Sequence, residues 1–320
     1  MITIANYIEG KLVEPQGGKY LDNYNPSNGA VYGMIPDSSS EDLEMAVASA
    51  KEAFPGWSSL SIDERSRMLL KLSVLIEDNL EKLAVAESLD NGKPVALARR
   101  VDIPRAAQNF RFFASAIVNE ASESHTTGNL VNYTRRAPLG VVGCISPWNL
   151  PLYLLSWKIA PALATGNCVI AKPSEVTPYT AYLLSELAIA AGFPPGVLNI
   201  LHGQGGKIGQ MIVEHPDINA ISFTGGTNTG RTIGIAAASQ FKKVSLELGG
   251  KNPVLVFDDC DLENAVKTCV RSAFTNQGEI CLCGSRIFIQ DSIYQDFKDR
   301  FVAQVRKLTV GNPADNVDLG

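Results

Sequence analysis

LGVVGCIS (139–146), NCVIAK (167–172), GVLNILHG (196–203), NAISFTG (219–225) and KKVSLELGG (242–250) decide the fold. Each is a short apolar or β-branched run of strand length, closed by serine, lysine or glycine. Between them lie stretches with helical spacing: SWKIAPALATG (156–166), PYTAYLLSELAIAAG (178–192), GGKIGQMIVEHP (205–216) and TNTGRTIGIAAASQ (227–240). Strands alternating with helices of this length build a parallel sheet covered on both faces, and double burial demands near-continuous apolar strands. The predicted class is therefore α/β. Ligands in such sheets sit beyond the carboxyl ends of the strands, so the residues directly after each strand are the first candidates for a site.

Upstream of this core the pattern reads as mainly helical to about residue 120. SSSEDLEMAVASAKEAFPGW (38–57) opens with serine caps and an early acid, then repeats apolar residues every three or four positions. IDERSRMLLKLSVLIEDNLEKLAVAESLDNGK (62–93) continues to a glycine stop at Gly92, and ALARRVDIPRAAQNFRFFASAIV (96–118) resumes with a kink expected near Pro104. SESHTTGNLVNYTRR (122–136) is polar, turn-rich and then alternating, which predicts an exposed hairpin or arm.

Composition narrows the function classes. The chain has 320 residues, 45% hydrophobic and 19% charged, with net charge −5. At ~150 residues per domain this is room for two domains. Acids and bases are interspersed, so no nucleic-acid partner and no membrane surface is expected. The longest uncharged stretch, Ala137 to Trp157, contains Pro138, Pro147 and Pro151, which break any single spanning helix. The start, MITIANYIEGKLVEP, lacks the cationic and apolar regions of a secretory signal. Six cysteines (144, 168, 260, 269, 281, 283) lie mostly in apolar surroundings without CxxC pairs, pointing to reduced thiols and a cytoplasmic setting. With three histidines and no His/Cys cluster, no metal site is expected.

Two glycine turns follow strands and open helices. In HGQGGKIG (202–209), Gly203, Gly205 and Gly209 permit close backbone approach; in FTGGTNTG (223–230), Gly225, Gly226 and Thr227 do the same. Either turn alone is as compatible with a plain strand-to-helix connection as with a phosphate cradle, but two in one parallel sheet favour a dinucleotide. Lys172, followed by Pro173, Ser174 and Glu175, stands at a strand's carboxyl end. Lysine and carboxylate there can bond a ribose, and a carboxylate repels a 2′-phosphate, which favours NAD over NADP; a solvated charged loop is the other reading.

Three further residues carry chemistry. Cys281, in NQGEICLCGSRIF (276–288), follows a polar glycine-bearing turn, and if the segment is extended Cys281 and Cys283 point the same way. A cysteine hydrolase needs a histidine partner, and His202 and His215 carry no signature linking them to Cys281. Glu247, in SLELGGKNP, ends a strand between Leu246 and Leu248; buried there, it would have a raised pKa and serve as a base for water. Asn149, set among Trp148, Pro147 and Pro151, is a fixed amide donor suited to an oxyanion, or else a turn cap.

SPWNLP (146–151), AKPSE (171–175), FTGG (223–226), LELGGKNP (246–253) and NQGEIC (276–281), in this order, resemble the aldehyde dehydrogenase superfamily. The resemblance implies Cys281 as nucleophile, Glu247 as general base, and Asn149 with the Cys281 main-chain N–H as the oxyanion site. It implies NAD held by Lys172, Glu175, Ser146, Trp148, Gly205, Gly225, Gly226, Gly230 and Leu248. Members that pass the acyl group to coenzyme A generally lack the glutamate, so Glu247 implies hydrolysis to the free acid. The family's usual serine after FTG is Gly226 here. The resemblance further implies a dinucleotide-binding domain from 1–120 and 139–250, an oligomerisation arm at 121–138 serving a homodimer or homotetramer, and the first part of a second α/β catalytic domain at 251–320. Family chains run considerably longer, so the rest of that domain is expected to be missing and the chain alone to be inactive. A non-catalytic NAD-binding or scaffold role is the competing reading.

DIPRAAQNFRFFAS (102–115), LYLLSWKIAPALATGN (152–167) and NQGEICLC (276–283) resemble the branch of that family that oxidises 2-aminomuconate 6-semialdehyde and 2-hydroxymuconate semialdehyde. Arg111, among Phe110, Phe112 and Phe113, is the expected partner of a substrate carboxylate, since a buried arginine needs an anion. An internal ion pair to a nearby acid is the alternative. A broad-specificity aldehyde dehydrogenase also fits.

Overall fold

The computed structural model describes all residues from Met1 to Gly320. Its strands are β1 (Ile2–Thr3), β2 (Asn6–Ile8), β3 (Lys11–Val13), β4 (Tyr20–Tyr24), β5 (Val31–Pro36), β6 (Ser124–Thr127), β7 (Leu130–Tyr133), β8 (Val141–Ile145), β9 (Cys168–Lys172), β10 (Leu198–Ile200), β11 (Ile218–Gly225), β12 (Lys243–Leu248), β13 (Pro253–Val256) and β14 (Arg286–Ile289). The helices are α1 (Ser40–Ser59), α2 (Ile62–Asp78), α3 (Leu80–Asn91), α4 (Val95–Leu97), α5 (Ile103–Val118), α6 (Pro151–Ala164), α7 (Tyr179–Ala191), α8 (Gln210–Glu214), α9 (Thr227–Ser239), α10 (Leu262–Phe274) and α11 (Tyr294–Val305).

The main sheet has the order β12-β11-β8-β9-β10-β2-β3. β8 through β12 are parallel, as the alternating pattern predicts. From β8 the chain steps outward to β9 and β10, then returns to the other side of β8 for β11 and β12. The order therefore reverses between β8 and β11, the switch point where a crevice opens in doubly wound sheets. Every residue of β8 and β9 is buried, which explains their apolar runs, interrupted only by Lys172 at the carboxyl end of β9. α6 and α7 cover one face, backed by α2 and α5; α1, α8 and α9 cover the other. Gly143 in β8 has a structural reason: a Cβ there would lie 2.8 Å from the Ile212 side chain on α8.

The N-terminal segment departs from the helical expectation. β1, β5 and β4 form a small sheet, while β2 and β3 extend the main sheet antiparallel beyond β10. These strands are 2 to 6 residues long, too short for a periodic signal, and are fixed by pairing with an edge that would otherwise stay open. The helices match the reading. Ser39 caps α1 in a capping box with Asp42, and Gly92 ends α3 with φ 80°. The break near Pro104 is a π-helical turn at Ala98–Asp102 leading into α5.

β6 and β7 form a hairpin whose strand residues are all exposed, including Leu130, Val131 and Tyr133. β13 and β14 pair in parallel beside α10 and α11, around a small core of Val256, Val266, Cys269 and Phe297. No helix is long and apolar enough to cross a membrane.

Candidate active site

The sequence candidates for nucleotide binding converge at the carboxyl edge of the parallel strands. Lys172, the last residue of β9, is 2% exposed, and its Nζ lies 2.5 Å from Glu175 Oε2. Glu175 Oε1 accepts the main-chain N–H of Gly205 at 3.0 Å, so the turn after β9 is tied to the turn after β10. Burial alone would raise the Glu175 carboxyl, but Lys172 and the Gly205 N–H hold it below its usual range. Burial lowers the Lys172 ammonium, opposed by Glu175. A Cβ on Gly205 would make ordinary contact, at 3.7 Å, with both partners.

On the other side of the switch point, Gly225 closes β11 and Gly226 is the N-cap of α9. A Cβ at Gly226 would meet nothing within 4 Å, leaving the positive end of α9 accessible. A Cβ at Gly230 would lie 2.5 Å from the Leu248 side chain, so these two candidates touch. Ser146 is buried and Trp148 exposed, both in the turn after β8. The residues thus fit a dinucleotide: a charged pair for a ribose on one flank, and a bare helix N-terminus for a pyrophosphate on the other.

The nucleophile segment is fastened from two directions. Asn149 donates its side-chain amide to the Glu279 carbonyl at 2.6 Å. In return, Asn276, 2% exposed, donates Nδ2 to the Asn149 carbonyl at 3.0 Å. Asn149 and the run that precedes Cys281 are therefore cross-tied. From the far side, Asn252, five residues past Glu247, donates Nδ2 to the carbonyls of Cys281 at 2.6 Å and Cys283 at 3.1 Å. Asn276 and Gln277 hold left-handed backbone (φ 54° and 56°) before Gly278 at φ 78°. Such geometry in non-glycine residues persists only where surrounding contacts enforce it. Cys281 is exposed, while Cys283 is buried. The segment is a tight turn and not extended, with Cys283 N–H bonded to the Ile280 carbonyl, so the condition for the two thiols pointing the same way is not met.

Glu247 corrects the sequence reading. It is exposed, not buried. Adjacent residues on a strand face opposite sides: Leu246 and Leu248 lie against α9, which turns Glu247 away from them. It lines an open cleft of about 450 Å³ with Lys158, Cys144, Ser222, Trp157 and Phe113. Lys158 in that cleft is mostly buried and donates to Ser222 Oγ at 3.2 Å. Desolvation lowers its ammonium to about 8, opposed by Cys144 and Glu247.

Arg111 is a second correction. It points outward, 45% exposed, and pairs with Glu77 at 2.6 Å, so the internal ion pair is the correct alternative and no buried charge calls for a ligand. The arginine that does face aromatic rings is Arg105, missed from sequence. Its guanidinium lies 5.6 Å from the Tyr153 ring centroid and 5.8 Å from that of Trp157, on the helix that begins beside Asn149. Its buried Nε has no partner and no carboxylate pairs with it. Arg105, like Arg111, lies on α5, but of the two only Arg105 meets the rings of α6, the helix that begins just after Asn149. His202 is buried, and desolvation, with Lys172 nearby, draws its ring down to about 3.

Residues 12–320 match the aldehyde dehydrogenase family. The chain is 54% identical over 317 residues to a 2-aminomuconic semialdehyde dehydrogenase from Danio rerio, covering 98% of this chain and 64% of that protein. It is 42% identical to a 2-hydroxymuconic semialdehyde dehydrogenase from Pseudomonas sp. (strain CF600), covering 98% and 66%. An NAD⁺ complex of an aldehyde dehydrogenase from Bacillus cereus superposes with a TM-score of 0.97 at 37% identity, covering 99% of this chain and 66% of that one. The chain thus spans just under two thirds of the length of these relatives.

Proposed function

The chain belongs to the aldehyde dehydrogenase family, and on that premise we propose that it carries the nucleophile, base and cofactor site of an NAD-dependent dehydrogenase oxidising a semialdehyde to a carboxylic acid. The observation that carries this reading is the double fastening of the Cys281 turn, by Asn149 on one side and by Asn252, in the strand exit that carries Glu247, on the other. The Cys281 sulfur attacks the aldehyde carbon and the carbonyl oxygen becomes an oxyanion. Asn149 has a second amide hydrogen beyond the one given to Glu279, and that donor meets the oxyanion together with the Cys281 main-chain N–H. A nicotinamide held by the turns after β9, β10 and β11 would supply the acceptor for the hydride on that carbon. Loss of hydride collapses the oxyanion to a thioester on Cys281. Glu247 takes a proton from water, the resulting hydroxide adds to the thioester carbon, and the C–S bond breaks to give the acid and return the thiolate.

Lys172 and Glu175 would hold the adenosine ribose, and the Glu175 carboxylate disfavours a 2′-phosphate, which supports NAD over NADP. The similarity to muconic semialdehyde dehydrogenases supports a substrate bearing both aldehyde and carboxylate. Arg105, which gives Nη1 to Gln108 but has no carboxylate partner and lies over Tyr153 and Trp157, is the group we assign to that carboxylate. The exposed hairpin with Leu130, Val131 and Tyr133 supports assembly as a dimer or tetramer, and six free thiols support a cytoplasmic setting.

Mixing the full protein with NAD and a muconic semialdehyde should give a stoichiometric burst of NADH, lost on Cys281→Ser. Arg105→Ala should raise KM for the semialdehyde acid far more than for a neutral aldehyde, and Arg111→Ala should not. A burst that survives Cys281→Ser would overturn the assignment.

A further inference from the structure

Beneath the Ser146–Asn149 turn lies a set of ionisable side chains that the reaction scheme does not use. Lys93 follows Gly92, the left-handed cap of α3, so the chain reverses there and sends the lysine inward to 0% exposure. Its Nζ lies 2.8 Å from Asp102 Oδ1, in the π-helical turn before α5, and 3.2 Å from the Asn149 carbonyl. Asn91 donates to the Trp148 carbonyl at 3.1 Å. Glu87, fully buried on α3, accepts the Leu152 N–H. One face of the turn is therefore gripped at consecutive peptides by the end of α3. From the other face comes Asn276, so the Asn149 carbonyl takes its two shorter hydrogen bonds from Asn276 and Lys93, with Asn91 Nδ2 farther off at 3.5 Å.

A buried ion pair is weak as a source of stability, since apolar residues of the same volume usually do as well. What Lys93 supplies instead is direction. Its ammonium, locked by Asp102, fixes the Asn149 peptide plane, and the side-chain amide on the same residue then points at the Cys281 segment. We propose that Lys93 is the positioning residue of the oxyanion donor, acting through the Asn149 carbonyl; this rests on Asn149 serving as that donor. Lys93 touches neither substrate nor cofactor, and the Lys93–Asp102 pair works as a fixed strut.

The test uses the full protein with the double substitution K93M/D102L, which removes both charges and leaves neither unpaired, and K93Q as a milder lesion that keeps a donor on a shorter stem. The rate of the NADH burst should fall about 10²-fold, the usual cost of misplacing a reacting group by an ångström. NAD affinity should not change, because the Lys172–Glu175 pair and the Gly205 turn are held together without the Asn149 amide. On an Asn149→Ala background, K93M/D102L should cost nothing further. Hydrogen exchange reads the same claim without turnover, with Trp148–Leu152 losing protection in K93M/D102L. Retained protection, an unchanged burst rate, or a full additional loss on top of Asn149→Ala overturns the proposal. If the unsubstituted protein gives no burst while the exchange result holds, the functional reading fails and takes the oxyanion role with it, leaving only the strut.

Discussion

Asn252→Asp is a near-isosteric change that reverses the polarity of one atom. In the native turn Asn252 Nδ2 reaches the carbonyls of Cys281 at 2.6 Å and Cys283 at 3.1 Å. Aspartate puts a carboxylate oxygen in that place, opposite two other acceptors. Two lost hydrogen bonds at about 1 kcal/mol each come to about 2 kcal/mol before repulsion is added, because this site is only half-buried. At 1.4 kcal/mol per tenfold, the turn opens about 30-fold more often. The change is local, since the anchor joins a surface turn to a strand exit and touches no core side chain, so the melting temperature should move little. Two measurements read it. The NADH burst should slow by up to about 30-fold, the full factor being reached where the open turn becomes the major state. Thiol labelling read by peptide mass should change in kind: native protein labels Cys281 fast and Cys283 slowly, because one is exposed and the other buried. In Asn252→Asp, Cys283 should join the fast class. A variant whose Cys283 stays protected and whose burst keeps its native rate would refute the idea that Asn252 holds the nucleophile turn.

Glu247→Gln should leave the NADH burst intact and slow steady turnover by about 10²–10⁴-fold, with acylated Cys281 accumulating in the mass spectrum; undiminished turnover would remove Glu247 as the base. Glu175→Gln keeps an acceptor for the Gly205 N–H but loses the charge that opposes a 2′-phosphate, so the preference in kcat/KM for NAD over NADP should narrow by about tenfold or more; an unaltered ratio would place cofactor choice elsewhere. Asp90 gives a pH prediction. Burial pushes its carboxyl from 3.8 up to about 7, against hydrogen bonds from Tyr32, the Tyr179 N–H and Asn23. Since the folded value lies above the unfolded one, its contribution is fully present below pH 3.8 and is lost as pH rises through about 7, amounting to about 4 kcal/mol. Asp90→Asn should flatten that part of the stability profile, and an unchanged slope in chemical denaturation across the window would exclude Asp90 as its source.

What the sequence made legible is what its local patterns encode. β8 and β9 are fully buried and so are apolar up to Lys172, which closes β9, and the glycines at 205, 225 and 226 sit where strand gives way to helix. Lys172, Glu175 and Gly205 could be named because each lies at or within five residues of the carboxyl end of its strand, and the topology then delivers all three to one corner. The failures share one cause, which is that a side chain's environment is set by distant residues. Glu247 drew its expected burial from leucines on either side, yet on a strand those neighbours report on the opposite face. Arg111 had three phenylalanines nearby in sequence, but on a helix only positions three or four away share a face, and at that spacing its side met Glu77 from α2 instead. The anchors Asn252, Asn276 and Lys93 were invisible for the same reason. Each acts through main-chain carbonyls 29 to 127 residues away, and a carbonyl carries no sequence identity to read. Sequence therefore exposes the groups that react more readily than those that aim them, and only the second kind can be tested by substitutions that leave every reacting atom in place.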